Sequence, residues 1–429
     1  MIRAFLAALA VAVGVGGTSP APERQSAPTK LPSSVLGILW NETSSAKPRL
    51  THMKPLTLQP IGRSAALRLG GGSATALSPN GRLVAVGTGR PGIQLIDRRR
   101  MKEVGFVKLG GTGWVTFLFW QRGLLYAVVD GDRNAAVVFV DPGGRQVLHR
   151  YPLDGTVLGA QVGSEERTGQ IVLLTAPRTR IGPVALTVAG GKGIESVSVS
   201  GISGGSASTN DAQGFRARQV VPGLAIDKTG KRALIVSAGS TVAEVSLADL
   251  AVTYHSLSEP VSLLGRLRNW LEPAAQAKLL EGPQRKAAWL GNGLIAVTGA
   301  DYATVTTESG EPTVEVQPAG LSLIDSSDWS IREISDEPSD FVVFDSSLLA
   351  FGDTSWGDPS EPGIGLVGYD LRGRELFHVL TRTRVGWVES AGGLAYVFVD
   401  DKRRVVVNAA SGRILGRAKA SRSLSVLAG

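Results

Sequence analysis

Cysteine is absent from the 429 residues. Disulfides, thiol catalysis, thiolate zinc sites and a lipid-anchored cysteine are excluded with it. Histidine is scarce. His52, His149, His255 and His378 are the full set, and no two stand at metal-ligand spacing. Charge is thin, with Asp, Glu, Lys and Arg at 19% of the chain. No run of five Lys or Arg occurs, and the densest basic cluster is Arg98-Arg99-Arg100. The net charge of +8 therefore reads as a solubilising surface, and nucleic acid is not an expected partner. No G-x-S-x-G, Walker loop or H-E-x-x-H is present, which removes the commonest hydrolase, nucleotide and metalloprotease signatures. Long apolar runs are also missing beyond the first residues. There, a short basic start (Met1-Ile2-Arg3) precedes an Ala- and Gly-rich apolar stretch from Ala4 to Gly17 and small residues up to Ala21. This is the pattern of a secretory signal, residues 1–21, cleaved near Ala21. The apolar core falls short of the ~20 residues of a comfortable span, although an uncleaved N-terminal anchor is the alternative. Residues 22–34 read as a disordered polar linker, and an extracytoplasmic location, secreted or in the cell envelope, follows.

What the chain has in quantity is glycine, 54 residues, together with 43% apolar residues. That mixture fits many short strands joined by tight turns. The clearest unit runs from Ala74 to Gly110. It holds a short apolar run, the turn Pro79-Asn80-Gly81, a second run, a loop, a third run ending at Asp97 and a fourth run. Val, Leu and Ile fill the runs, while Gly, Pro, Asn and Asp bound them, so they read as strands. The same four-run unit recurs at 115–151, 157–199, 223–257, 287–334, 341–380 and 386–418. Four strands repeated every roughly 40–50 residues is the signature of a propeller blade. Two remnants are left: three runs between Val35 and Leu69, and one run at Ser423–Gly429. Joined, they complete one more blade and close the ring without open edges. The expected fold is all-β: a single propeller over residues 35–429 with eight four-stranded blades. Seven is the alternative if one unit is misread.

The segment SPNGRLVAVGTG followed by IQLID, Ser78 to Asp97, resembles the WD-repeat and YVTN-type propeller superfamily, and Asp141, Asp325 and Asp370 repeat its final Asp. The full Gly-His…Trp-Asp pattern of regular WD repeats is missing. The resemblance covers nearly the whole chain and implies the fold, but that superfamily hosts scaffolds and unrelated enzymes alike. The repeated Asp residues are expected to hydrogen-bond their own turns.

Loop length carries the functional expectation. The long insertions fall between strands B and C, or between one blade and the next, and such connections leave a propeller on one face. The insertion at Gly299–Gly320 carries Asp301, Glu308, Glu311 and Glu315. That at Gly352–Gly363 carries Asp353, Trp356, Asp358 and Glu361. Together they predict an acidic, aromatic patch suited to a basic partner or to Ca²⁺, with no other cofactor expected. A third insertion, about 260–284, has Leu263, Leu264, Leu267, Trp270 and Leu271 at helical spacing. A helix there, centred on Trp270, is expected to cap the face or to dock on a partner or membrane surface. The leading expectation is a monomeric, non-catalytic propeller binding a protein or envelope polymer. The rivals are a lactonase-like enzyme with a divalent ion held in the channel by Asp227, Asp345 and Glu389, and a membrane-anchored sensory ectodomain.

Overall fold

A computed structural model describes residues 31–427 apart from 41–46, 69–73, 132–134, 164–168, 192, 212–213, 259–281, 307–311, 353–361, 400–402 and 420–423. It forms eight antiparallel sheets, each a blade. Blades I to VII follow chain order over residues 75–108, 114–153, 156–220, 223–256, 282–335, 340–379 and 387–419. Within each, strand A is innermost and strands B, C and D step outward. Blade VIII is composite. Its inner strand, Leu424–Leu427, pairs antiparallel with Val35–Leu39, which is followed outward by Arg49–Met53 and Pro60–Ala66.

Closure is visible in the packing. Eight apolar clusters each join two neighbouring blades, one cluster per seam. The seam between blades VII and VIII sets Tyr396, Val406 and Leu394 against Val35, Met53, Leu424 and Val426. The next seam sets Leu36, Ile38 and Leu50 against Val84, Val86 and Ile96. A strand of alternating Val, Leu and Ile serves both neighbours, because its two faces are both buried.

The repeated acids act as turn caps. Asp97 Oδ1 accepts the Arg100 N–H and Asp141 Oδ1 that of Gly143, both at 2.8 Å. Asp325 and Asp370 do the same for Ser327 and Arg372 at 2.8 and 2.9 Å. Asp249 and Asp328 titrate below the ordinary carboxylate range, chiefly because the Ser246 and Ser330 hydroxyls bond to them. Several of these turns place a non-glycine residue in the left-handed region, Met101 at φ 49° and Arg145 at φ 55° among them.

Two insertions differ from expectation. Residues 299–320, read as a loop, form an extension of strand B, Leu294–Thr306, paired with Pro312–Pro318. Blade III has a fifth strand: strand D runs from Gly193 to Asp211 and folds back as Gly214–Val220. The backbone ladder satisfies the Gly- and Ser-rich stretch of blade III, so no apolar period announced it. The proposed helical insertion ends earlier than 284, since strand A of blade V starts at Gly282. Its helical part lies outside the described residues. Among the described residues no helix is long and apolar enough to cross a membrane.

Candidate functional site

Antiparallel strands alternate direction, so all B–C and D–A connections leave on one face and all A–B and C–D turns on the other. Most described turns on that second face are tight, while the A–B connection of blade III, residues 163–170, is longer and lies partly outside the described residues. The B–C and D–A face carries the two described strand additions, in blades III and V, and the ends of the connections whose residues 259–281 and 353–361 lie outside the described residues.

The end of the blade III hairpin meets strand A of blade V, Gly282–Gly291. Val221 forms a parallel bridge with Gln284. Its N–H donates to the Pro283 carbonyl at 3.0 Å, and its carbonyl accepts the Arg285 N–H at 2.7 Å. Gln284 Nε2 donates to Gln219 Oε1 at 3.4 Å. Blades III and V are not ring neighbours, yet they are tied directly across blade IV into one canopy. The close approach depends on Gly282. Its φ is +113°, and a Cβ there would lie 2.2 Å from the Gln219 carbonyl oxygen. Ala300, Tyr302 and Val314 form a small apolar cluster inside the blade V hairpin, so the canopy has a core of its own.

Asp301 stands at the root of that hairpin, but not as an open acid. Its Oδ1 accepts Arg285 Nη1 at 2.7 Å, and the Arg285 side chain is only 8% exposed. The sequence points to Asp301 without its partner, because Arg285 falls between the helical insertion at about 260–284 and the run that starts at Ala287. Glu308, Glu311, Asp353, Trp356, Asp358, Glu361 and Trp270 lie outside the described residues. Replacing Asp301 by Ala should leave a buried guanidinium short of its counter-charge. The expected cost is about 1–3 kcal/mol, read as a lower urea midpoint at unchanged slope.

The basic residue Arg178, on the same face, is also committed. Its Nη2 donates to Asp130 Oδ1 at 3.0 Å and to the Gly155 carbonyl at 2.6 Å. Asp130 Oδ2 accepts the Thr156 hydroxyl at 2.9 Å, so this clasp joins blades II and III.

The channel carboxylates do not converge. Asp227 belongs to the A–B turn of blade IV, where it accepts the Lys231 N–H at 2.9 Å and pairs with Arg232 at 3.4 Å. Asp345 is exposed in the A–B turn of blade VI. Glu389 alone lies on an inner strand, Trp387–Ala391 of blade VII. Among the described residues no group of three or more His, Asp or Glu is placed to hold a metal ion. The histidines serve strand packing: His255 stacks on Trp329 at 3.7 Å, and His52 sits within 3.1 Å of the Ser34 hydroxyl.

The fold and this one-sided elaboration define an eight-bladed β-propeller. No family model matches the chain, and no curated protein matches it. Among solved structures it is similar to the dihydro-heme d1 dehydrogenase NirN in complex with DHE, at 15% identity, covering 95% of this chain and 78% of that one with a TM-score of 0.57. The Cps50 (Swd1) β-propeller domain of Myceliophteria thermophila matches at 10% identity, 81% and 86% coverage and a TM-score of 0.40. A computationally designed protein, Ika8, matches at 11% identity, 82% and 87% coverage and a TM-score of 0.46. At such identities the likeness is one of fold.

Proposed function

We propose that this chain is an exported, non-catalytic binding propeller of the WD-repeat or YVTN type, engaging a protein or envelope polymer through its long-connection face. The supporting observation is the asymmetry between faces. The strand additions of blades III and V fall on one side, where the end of the blade III hairpin is bridged to strand A of blade V, while most connections described on the other side are short turns. Rigid scaffolds that concentrate insertions on one rim present them for recognition. A lactonase-like reading asks Asp227, Asp345 and Glu389 to share an ion. Asp227 is instead spent on its turn and on Arg232.

Gly282→Val tests the binding reading. The added side chain is expected to push the end of the blade III hairpin away from strand A of blade V and to leave the eight seams intact. Immobilised full chain is incubated with solubilised envelope extract from the source cells, and the captured material is quantified against Arg99→Glu on the opposite face. At least a tenfold loss for Gly282→Val, with Arg99→Glu at wild-type level, is the expected result. Equal capture by all three would remove the canopy from the interaction. N-terminal sequencing of the exported protein checks the leader, with a start near Pro22 expected.

A further inference from the structure

The fold gathers basic residues that the sequence keeps apart. Arg82 ends the A–B turn of blade I. Arg98, Arg99, Arg100 and Lys102 belong to its C–D turn, and Arg145 to the C–D turn of blade II. The Arg98 N–H donates to the Arg82 carbonyl at 2.9 Å, which sets the two turns of blade I side by side. Arg145 reaches back across the seam onto blade I, where its Nε is 2.9 Å from the place a Cβ on Gly105 would take. The six side chains therefore share one sector of the face formed by the A–B and C–D turns. Arg98 is half-buried and the other five are exposed.

The acids of this sector are engaged elsewhere. Asp97 and Asp141 cap their own turns. Glu103 accepts Arg68 Nη2 and Gln94 Nε2, both at 2.8 Å. Among the described residues none of the six cations forms an ion pair. On the same face Arg232 and Arg374 are paired with Asp227 and Asp370. Blade V, across the ring from blade I, has turns with Asp325 and Asp328 and no Lys or Arg. The uncompensated positive charge is thus concentrated at blades I and II.

The chain also enters the ring on this face. Strand B of blade VIII starts there at Val35. Ser34 Oγ lies 3.1 Å from His52 Nδ1, and His52 Nε2 lies 3.1 Å from the Arg98 carbonyl oxygen. Pro32 rests on the A–B turn of blade VII, 3.1 Å from the place of a Gly392 Cβ. The part of the chain that holds the apolar stretch Ala4–Gly17 therefore joins the ring beside the basic sector.

We propose that the basic sector of blades I and II docks the propeller on an anionic phospholipid surface, with the canopy directed away from it. Guanidinium groups fork onto phosphate oxygens. Most described turns on this face are short, so a plane can approach several at once. Lys and Arg are drawn to a negatively charged leaflet within about a Debye length, ~10 Å at 0.1 M salt. An apolar segment and a basic patch on one side act on the same bilayer, and two such signals hold where one is reversible. This reading is independent of the canopy. It concerns a bilayer, which a solubilised extract does not contain.

The test is co-sedimentation of the full chain with vesicles of equal parts phosphatidylglycerol and phosphatidylcholine, against vesicles of phosphatidylcholine alone. The N-terminal segment is common to every variant, so the difference between the two vesicle types reports the effect of charge. The wild type should prefer the anionic vesicles by at least about tenfold and lose that preference at high salt. Arg82→Glu/Arg100→Glu/Arg145→Glu, one exposed residue from each turn, should bind both vesicle types equally. Arg49→Glu/Lys108→Glu/Lys419→Glu makes the same change in net charge at the opposite ends of outer strands. It should keep the preference to within about threefold. Equal binding of both vesicle types by the wild type would overturn the proposal. So would the same loss in both triple variants, or binding of a mixed-sequence DNA duplex in place of the vesicles. If the sector variant elutes as an aggregate, Arg82→Gln/Arg100→Gln/Arg145→Gln decides, with a loss of at least about fivefold expected.

Discussion

A stop codon at Ser423 should yield an unfolded or aggregated chain, not a smaller ring. The lost strand buries Leu424 and Val426 to 2% and 5% exposure. Burial of two such side chains contributes about 3–6 kcal/mol. The Val426–Glu389 bond and the Trp40–Ser425 contact at 3.4 Å go with it. Domains are stable by only about 5–15 kcal/mol, so this single deletion removes a large share. It also strips the inner edge of Val35–Leu39, an apolar strand whose pairing groups would then face the channel. Thermal unfolding and size-exclusion chromatography of the truncated protein give the answer. A monodisperse monomer with an unshifted transition would show that closure contributes nothing.

Phe139→Ala should cost about 3–5 kcal/mol. Phe139 is 1% exposed and lies in the seam between blades II and III. Its ring meets Tyr126 at 4.5 Å, Tyr151 at 5.3 Å and His149 at 6.2 Å. Tyr126 is anchored in turn by a hydrogen bond from its hydroxyl to the Gly169 carbonyl at 2.9 Å. The cluster cannot collapse freely around a missing ring, so both the transfer and the cavity contributions are felt. Ile414→Ala, at a residue 37% exposed, is the control and should stay within about 0.5 kcal/mol. Urea titrations of the two variants compare them directly. A loss below about 1 kcal/mol at Phe139 would mean that the seams are loosely packed.

The architecture was legible because two local signals agreed. Short Val, Leu and Ile runs gave the strands, and Asp97, Asp141, Asp325 and Asp370 marked turns that the structure caps with those same side chains. The composite blade could be inferred by subtraction, since one remnant lacked an inner strand and the other was a lone strand. The hairpins of blades III and V were not legible. Ser203 to Asp211 has almost no apolar residues, and its ladder is held by backbone groups that leave no trace in side-chain pattern. The candidate site was legible only as a face. Asp301 was found, but its partner Arg285 sat between the helical insertion and the first run of blade V. Glu389 was noticed as a carboxylate on an inner strand. Its environment comes from Val426 and Arg404, contacts that no spacing rule connects.

The composite blade also orders events in time. Val35–Leu39 leaves the ribosome first, but its inner neighbour Leu424–Leu427 arrives almost a whole chain later. At about 5–20 residues per second, that delay is roughly 20–80 s. Throughout it Leu36 and Ile38 have no inner strand beside them, and seven finished blades form an arc that cannot shut. Closure of the ring therefore waits on synthesis of Leu424–Leu427.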